Sequence, residues 1–259
     1  MDRLLHFLLA SVIGLLSNMS MAQTVSVETS VNLAGEQCML VQRVAKLYSQ
    51  VGLNVLPSIA VSQLALASSR FESNLKTLGP MVTGSTEASL AMEHLTEAWQ
   101  GMKKALSAPV SREAAEALSR QAEISLMAAE SLTHFIETQQ KSETSQLINQ
   151  SGRQRMLSQR IANNYLLRSW GVESPAVREN LERSSNELSA GLATLIARPN
   201  NSVEIQRELE EVSQQWDWLK ASLSVEGASS YRLIVAESAD AMLEATDRVT
   251  RLYAEQGRR

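Results

Sequence analysis

The sequence predicts an all-α protein made of two tandem four-helix bundles, on three observations. A fifteen-residue stretch occurs twice, Val31–Ala45 and Ile148–Ala162. The composition favours Ala, Leu, Ser, Glu and Gln, with only 4% aromatic residues, whereas sheets favour aromatic and β-branched side chains. Glycine and proline are scarce, at 11 and 5, and they fall where they divide each half into four helical segments.

The repeat holds one offset throughout. Gly35 falls on Gly152, Gln37 on Gln154, Met39 on Met156, Leu40 on Leu157, Gln42 on Gln159 and Arg43 on Arg160, each 117 residues apart. Trp99 and Trp216 keep that spacing, as do Lys103 and Lys220, Leu106 and Leu223, Thr133 and Thr250, and Gln139 and Gln256. The apolar triplet Phe71, Leu75, Leu78 falls on Leu188, Leu192, Leu195 at the same offset. Four matching segments in one register imply a tandem duplication without insertion or deletion, and a repeat sets the architecture before any local reading.

Taken in order, residues 1–22 read as a secretory leader. Arg3 precedes an apolar run from Leu4 to Leu16, and Ser20-Met21-Ala22 supplies a small-x-small exit. The alternative is an uncleaved anchor, but the run is shorter than the roughly 20 residues that a spanning helix needs. Cleavage after Ala22 predicts an exported, periplasmic protein, with the first bundle at residues 23–141 and the second at 142–259. In the first, helix 1 runs from about Ser30 to Val51, helix 2 from Ser58 to Leu78 before Gly79-Pro80, and helix 3 from Ser85 to Ser107. Ser111 caps helix 4, which reaches about Gln140. In the second, helix 1′ ends at Gly171, and Ser174-Pro175 opens helix 2′, which ends near Arg198-Pro199. Asn201 and Glu204 have capping-box spacing ahead of helix 3′, which ends near Ser224, and Gly227 precedes the last helix. No glycine or proline lies between Gln140 and Gly152, so the sequence allows helix 4 to continue into helix 1′ as one rod.

The net charge of −4 argues against nucleic acid, which calls for a basic surface. Cys38 is the sole cysteine, so an intrachain disulfide is impossible, and burial as a small apolar residue is its expected state. The three histidines, His6, His94 and His134, form no metal-ligand spacing, no catalytic constellation is legible, and neither an enzyme nor a cofactor is expected. Trp99 and Trp216 read as core anchors.

The repeated box carries the functional signal. On a helix, spacings of four and three place Ile148, Gly152, Arg155, Gln159 and Ala162 on one face; the first copy has Val31, Gly35, Cys38, Gln42 and Ala45. Glycine lets another helix approach closely. An arginine on such a face needs a partner, because an unpaired buried charge is costly. That partner is either a bundle carboxylate or an anionic ligand, whose planar oxygens a guanidinium grips with two parallel hydrogen bonds.

The box, read as Asn149-x-x-Gly152-x-x-Arg155-Met156-x-x-x-Arg160, resembles the first-helix motif of the periplasmic domain in nitrate/nitrite sensor kinases of the NarX and NarQ type. It resembles still more closely the N-terminal domain of the PilJ-type type IV pilus chemotaxis transducer, whose wording Arg153 to Arg160 follows in full. The resemblance covers essentially all of the chain beyond the leader, as two copies. It implies four-helix bundles, dimerisation through helix 1′, and a small oxyanion, nitrate or nitrite, gripped at Arg155 with Gly152, Gln159 and Arg153 around it. Cys38 stands where the first copy would carry that arginine, which puts a site there in doubt. No second membrane segment, kinase region or methyl-accepting coiled coil is read in the chain. The expectation is therefore a sensor-type binding protein that reports to a membrane-bound sensor or transducer. The alternative is a ligand-independent protein that docks on type IV pilus or transducer components.

Overall fold

The computed structural model describes residues 26–140, 142–225 and 229–257, so the expected leader and the glycine at 227 lie outside the described residues. Eight α-helices account for nearly all of these: α1 (Val27–Gly52), α2 (Pro57–Leu78), α3 (Thr86–Leu106), α4 (Arg112–Gln140), α5 (Glu143–Ser169), α6 (Pro175–Ile196), α7 (Val203–Leu223) and α8 (Ser229–Gln256). A short 3-10 turn, Gly79–Met81, follows α2.

Serines start most of them, because a serine hydroxyl accepts from an amide that the first turn leaves without an intrahelical partner. Ser26 caps α1, Ser85 caps α3, and Ser142 caps α5 by accepting from the Ser145 amide at 3.1 Å. Ser202 caps α7, accepting from Ile205 N. Asn201, expected as that cap, is instead a core residue. Its amide donates to Leu195 O at 2.8 Å and its side-chain oxygen accepts from the Tyr253 hydroxyl at 2.8 Å. Two further expectations are corrected. Helix 1 starts at Val27 rather than near Ser30, and α4 and α5 are two helices, not a rod. Ser142 breaks the rod without any glycine or proline, because its extended backbone (φ −103°, ψ 136°) is that of an N-cap.

The box helices end alike. Asn54 (φ 57°) and Gly171 (φ 85°), equivalent in the repeat, take the left-handed conformation just past α1 and α5. Glycine adopts it freely, and asparagine is among the few other residues that tolerate it.

In the first copy α1 packs on α2 and α4, and α4 on α3; in the second α5 packs on α6 and α8, and α8 on α7. Phe71 and Trp99 stack at 4.1 Å between centroids, tying α2 to α3. Both tryptophans are buried anchors, and their indole N–H groups donate to equivalent positions, Trp99 to Glu72 and Trp216 to Ser189.

The most extensive helix contact joins the two copies, α1 against α5. The two run parallel and nearly in register. Asn32, near the start of α1, meets Arg155, Ser49 meets Asn163, and Gly52 at the end of α1 lies under the Trp170 ring. One continuous core of buried residues spans both copies. The duplicated chain thus folds as an internal pair about a pseudo-two-fold axis along α1 and α5.

Candidate functional site

The site is the seam between α1 and α5, and it is unusually polar. From Ser151 to Leu167 every residue of α5 except the exposed Arg153 is buried, including Gln154, Arg155, Ser158, Gln159, Arg160, Asn163 and Asn164. A helix buried all round is normally apolar. Each of these polar side chains makes at least one hydrogen bond. A buried group that finds a partner loses little, whereas an unpaired one costs about 1–3 kcal/mol; the side-chain oxygens of Gln154, Gln159 and Asn164 and the Nε of Arg155 are buried without one.

Two matched arginines are exchanged between the copies. Arg43 of α1 donates to Asp240 of α8 at 2.8 Å and to Gln63 of α2 at 3.0 Å. Arg160 of α5 donates to Glu123 of α4 through both Nε and an NH2 group, and to Asn180 of α6. Asp240 is the repeat equivalent of Glu123, and Asn180 of Gln63. Each arginine therefore crosses the seam to the last helix of the other copy and holds an amide on the second helix of its own. Asp240 has a further partner, Lys46, fully buried with Nζ 2.6 Å from its carboxylate. Burial pulls the Lys46 ammonium down to about 8 against the pull of Asp240. Gln42 donates to Glu123 at 3.1 Å, while its counterpart Gln159 donates to Ala239 O at 2.9 Å.

Arg155 lies on the same seam, 2% exposed. It donates to Asp247 of α8 at 2.7 Å and to the side-chain oxygen of Asn32, across the seam, at 2.7 Å, while its Nε is buried with no partner. Gly152 makes the room: a Cβ there would meet the Arg155 guanidinium at 3.1 Å. Of the two partners open in the sequence, the structure supplies the carboxylate. An oxyanion at Arg155 would have to displace Asp247. The four expected site residues do not converge on one point. Arg155 and Gly152 share a cradle, and Gln159 is committed to the α8 backbone. Arg153 faces outward, joining Glu130 of α4 and Glu187 of α6 at 2.8 Å each. The first copy makes the same link with its charges reversed, Glu36 to Arg70 at 3.2 Å, so Arg153 reads as a strut.

The face of α5 on which dimerisation through helix 1′ was expected is buried against α8 and α1 of its own chain. Arg43, Arg160, Glu123, Asp240 and Lys46 were not singled out in the sequence as site residues. The signal for four of them was present: both arginines and both carboxylates recur at the offset of 117.

Cys38, the counterpart of Arg155, is buried and lies 3.7 Å from the Thr133 hydroxyl. Burial pushes its thiol up to about 12. Among the described residues no group of three or more His, Cys, Asp or Glu side chains is placed to hold a metal ion, and no helix is long and apolar enough to cross a membrane.

A family model described as the type IV pili methyl-accepting chemotaxis transducer N-terminal region, PilJ, matches residues 19–124 and 136–249, which is most of the chain and each copy separately. No curated protein and no solved structure was found to match.

Proposed function

We propose a sensory function from one premise that is already shown: the chain belongs to the PilJ family, twice over. The family indicates a non-catalytic, transducer-type sensory region and no enzyme. The specific reading is that two PilJ units, paired through α1 and α5, form a periplasmic module that reports to a membrane-bound transducer. The observation that carries it is the reciprocal exchange of Arg43 and Arg160 across the seam. A sensor domain that works as a pair here has its partner covalently attached, so the pair persists at any dilution, as effective concentration requires of a tethered partner.

This geometry supports a preformed pair better than assembly induced by nitrate or nitrite. The one arginine that the oxyanion reading depends on is already neutralised by Asp247. Photo-crosslinking in cells tests the proposal, with a photoreactive residue placed at exposed Leu66 of α2 or Met127 of α4. An adduct with a methyl-accepting transducer is expected. Adducts confined to pilus structural proteins, or none from either position, would overturn it.

A further inference from the structure

We propose that the first copy holds a binding site for a small guanidinium-type cation, in the cavity that Cys38 leaves where the second copy has Arg155. This inference stands independently of any transducer partner.

The cavity measures about 240 Å³ and is lined by Gly35, Cys38, Glu130, Thr133, Asn149 and Met156, with exposed His134 and Arg153 at its rim. Its volume is below the roughly 300–1,000 Å³ of sites for drug-sized ligands, so it suits a small one. Most of these lining residues are repeat equivalents of residues at or beside the Arg155 cradle. Gly35 corresponds to Gly152, Glu130 to Asp247, Thr133 to Thr250 and Asn149 to Asn32.

The glycines show what differs. A Cβ on Gly152 would press on the Arg155 guanidinium at 3.1 Å, whereas a Cβ on Gly35 would meet nothing within 4 Å. The place filled by a guanidinium in one copy is open space in the other, while the acceptors around it remain. In the second copy Asp247 serves two cations, Arg155 on Oδ1 and Arg251 on Oδ2. In the first, Glu130 accepts from Arg153 through Oε1. The buried guanidinium has no equivalent there, and its asparagine is retained as Asn149, whose amide nitrogen donates to Glu137 and leaves the side-chain oxygen as an acceptor.

Charge points the same way. Arg153 is shared between Glu130 and Glu187, and Glu137 accepts from the Asn149 amide, so these side chains sum to two negative charges and a bound monocation lowers that excess. An anion would add to that charge. A planar guanidinium also matches the paired acceptors, a carboxylate oxygen and an amide oxygen, that hold Arg155 in the other copy. Cys38 takes no covalent part, since burial keeps its thiol protonated.

Calorimetric titration of the chain with methylguanidinium chloride, against sodium chloride and sodium nitrate, tests the site. Saturable binding of methylguanidinium by the unaltered chain is expected. It should be lost in Cys38→Arg, which supplies the missing guanidinium covalently, and weakened at least about tenfold in Glu130→Gln, the typical cost of a charged acceptor. Cys38→Arg should also melt at a higher temperature than the unaltered chain, an outcome that does not depend on how Glu130→Gln folds. No saturable binding by the unaltered chain, undiminished binding by Cys38→Arg, or saturable binding of nitrate in place of methylguanidinium would each overturn the proposal.

Discussion

Replacing Arg160 by methionine should cost far more stability than the same change at Arg43, although the two occupy equivalent positions. Arg160 is the cation that neutralises Glu123, whose other described partner is the neutral amide of Gln42. The Arg160 side chain is 6% exposed and that of Glu123 25%. Breaking a buried pair by removing one partner costs roughly 3–5 kcal/mol, because it strands the other charge. The partial exposure of Glu123 places Arg160→Met near the low end, at about 3 kcal/mol. Asp240 differs because Arg43→Met leaves it Lys46, fully buried at 2.6 Å. That change should cost about 1 kcal/mol, the scale of ordinary lost hydrogen bonds. In a domain of this size 1 kcal/mol moves Tm by about 2–4 °C, so the expected losses are about 6–12 °C against 2–4 °C. Melting followed by far-ultraviolet circular dichroism at neutral pH reads both. Equal losses, or a larger one for Arg43→Met, would refute the assignment of Lys46 as the second cation on Asp240.

Lys46 also predicts a pH dependence. Its ammonium titrates near 8 in the folded chain against 10.5 as the ordinary value, so between these pH values the unfolded chain holds a proton that the native chain has released. Stability attributable to Lys46 therefore rises from pH 8 to 10.5, by about 3 kcal/mol at 1.36 kcal/mol per pH unit. Urea titrations of the unaltered chain and Lys46→Met across that range should diverge accordingly; a constant difference would remove the argument. Gly52→Ala should destabilise by about 1–3 kcal/mol, the usual cost of overpacking, because its Cβ would fall 1.8 Å from the Trp170 ring. An unchanged denaturation midpoint would show that Trp170 swings away freely. Cys38, with its thiol near 12, should react with an aromatic disulfide reagent at pH 8 at least about 100-fold more slowly in the native chain than in urea, since only the thiolate attacks. Equal rates would contradict its burial.

The fold was largely legible in the sequence. The offset of 117 gave two copies of four helices, and the serines at 85 and 111 marked real helix starts. The break at Ser142 depends on an N-cap conformation and on no breaker residue, so composition does not mark it. The internal pairing was missed for a different reason. Helical spacing picks out one face of the box, Gly152, Arg155 and Gln159, whereas Gln154, Ser158, Arg160 and Asn163, on the other faces, are buried too. Helical periodicity cannot flag Arg160 and Asn163 as buried, because their partners, Glu123, Ser49 and Ser119, lie in the other copy. For the site, Arg155 was correctly read as needing a partner. Which of two partners it takes depended on Asp247, 92 residues further along the chain. That Cys38 stands in place of an arginine is legible in the repeat, whereas the open space this leaves beside Gly35 is legible only in the structure.

The central claim, that the two copies pair within one chain through parallel α1 and α5, is tested most directly by a single crosslink. In a Cys38→Ser background, Ser49→Cys and Asn163→Cys replace two residues whose side chains meet at 3.1 Å across the seam. Under mild oxidation, non-reducing electrophoresis and peptide mass mapping should show a disulfide joining the two positions within a monomeric chain. A disulfide found only in species of dimeric mass, or the absence of any link between the two positions, would contradict the internal pair.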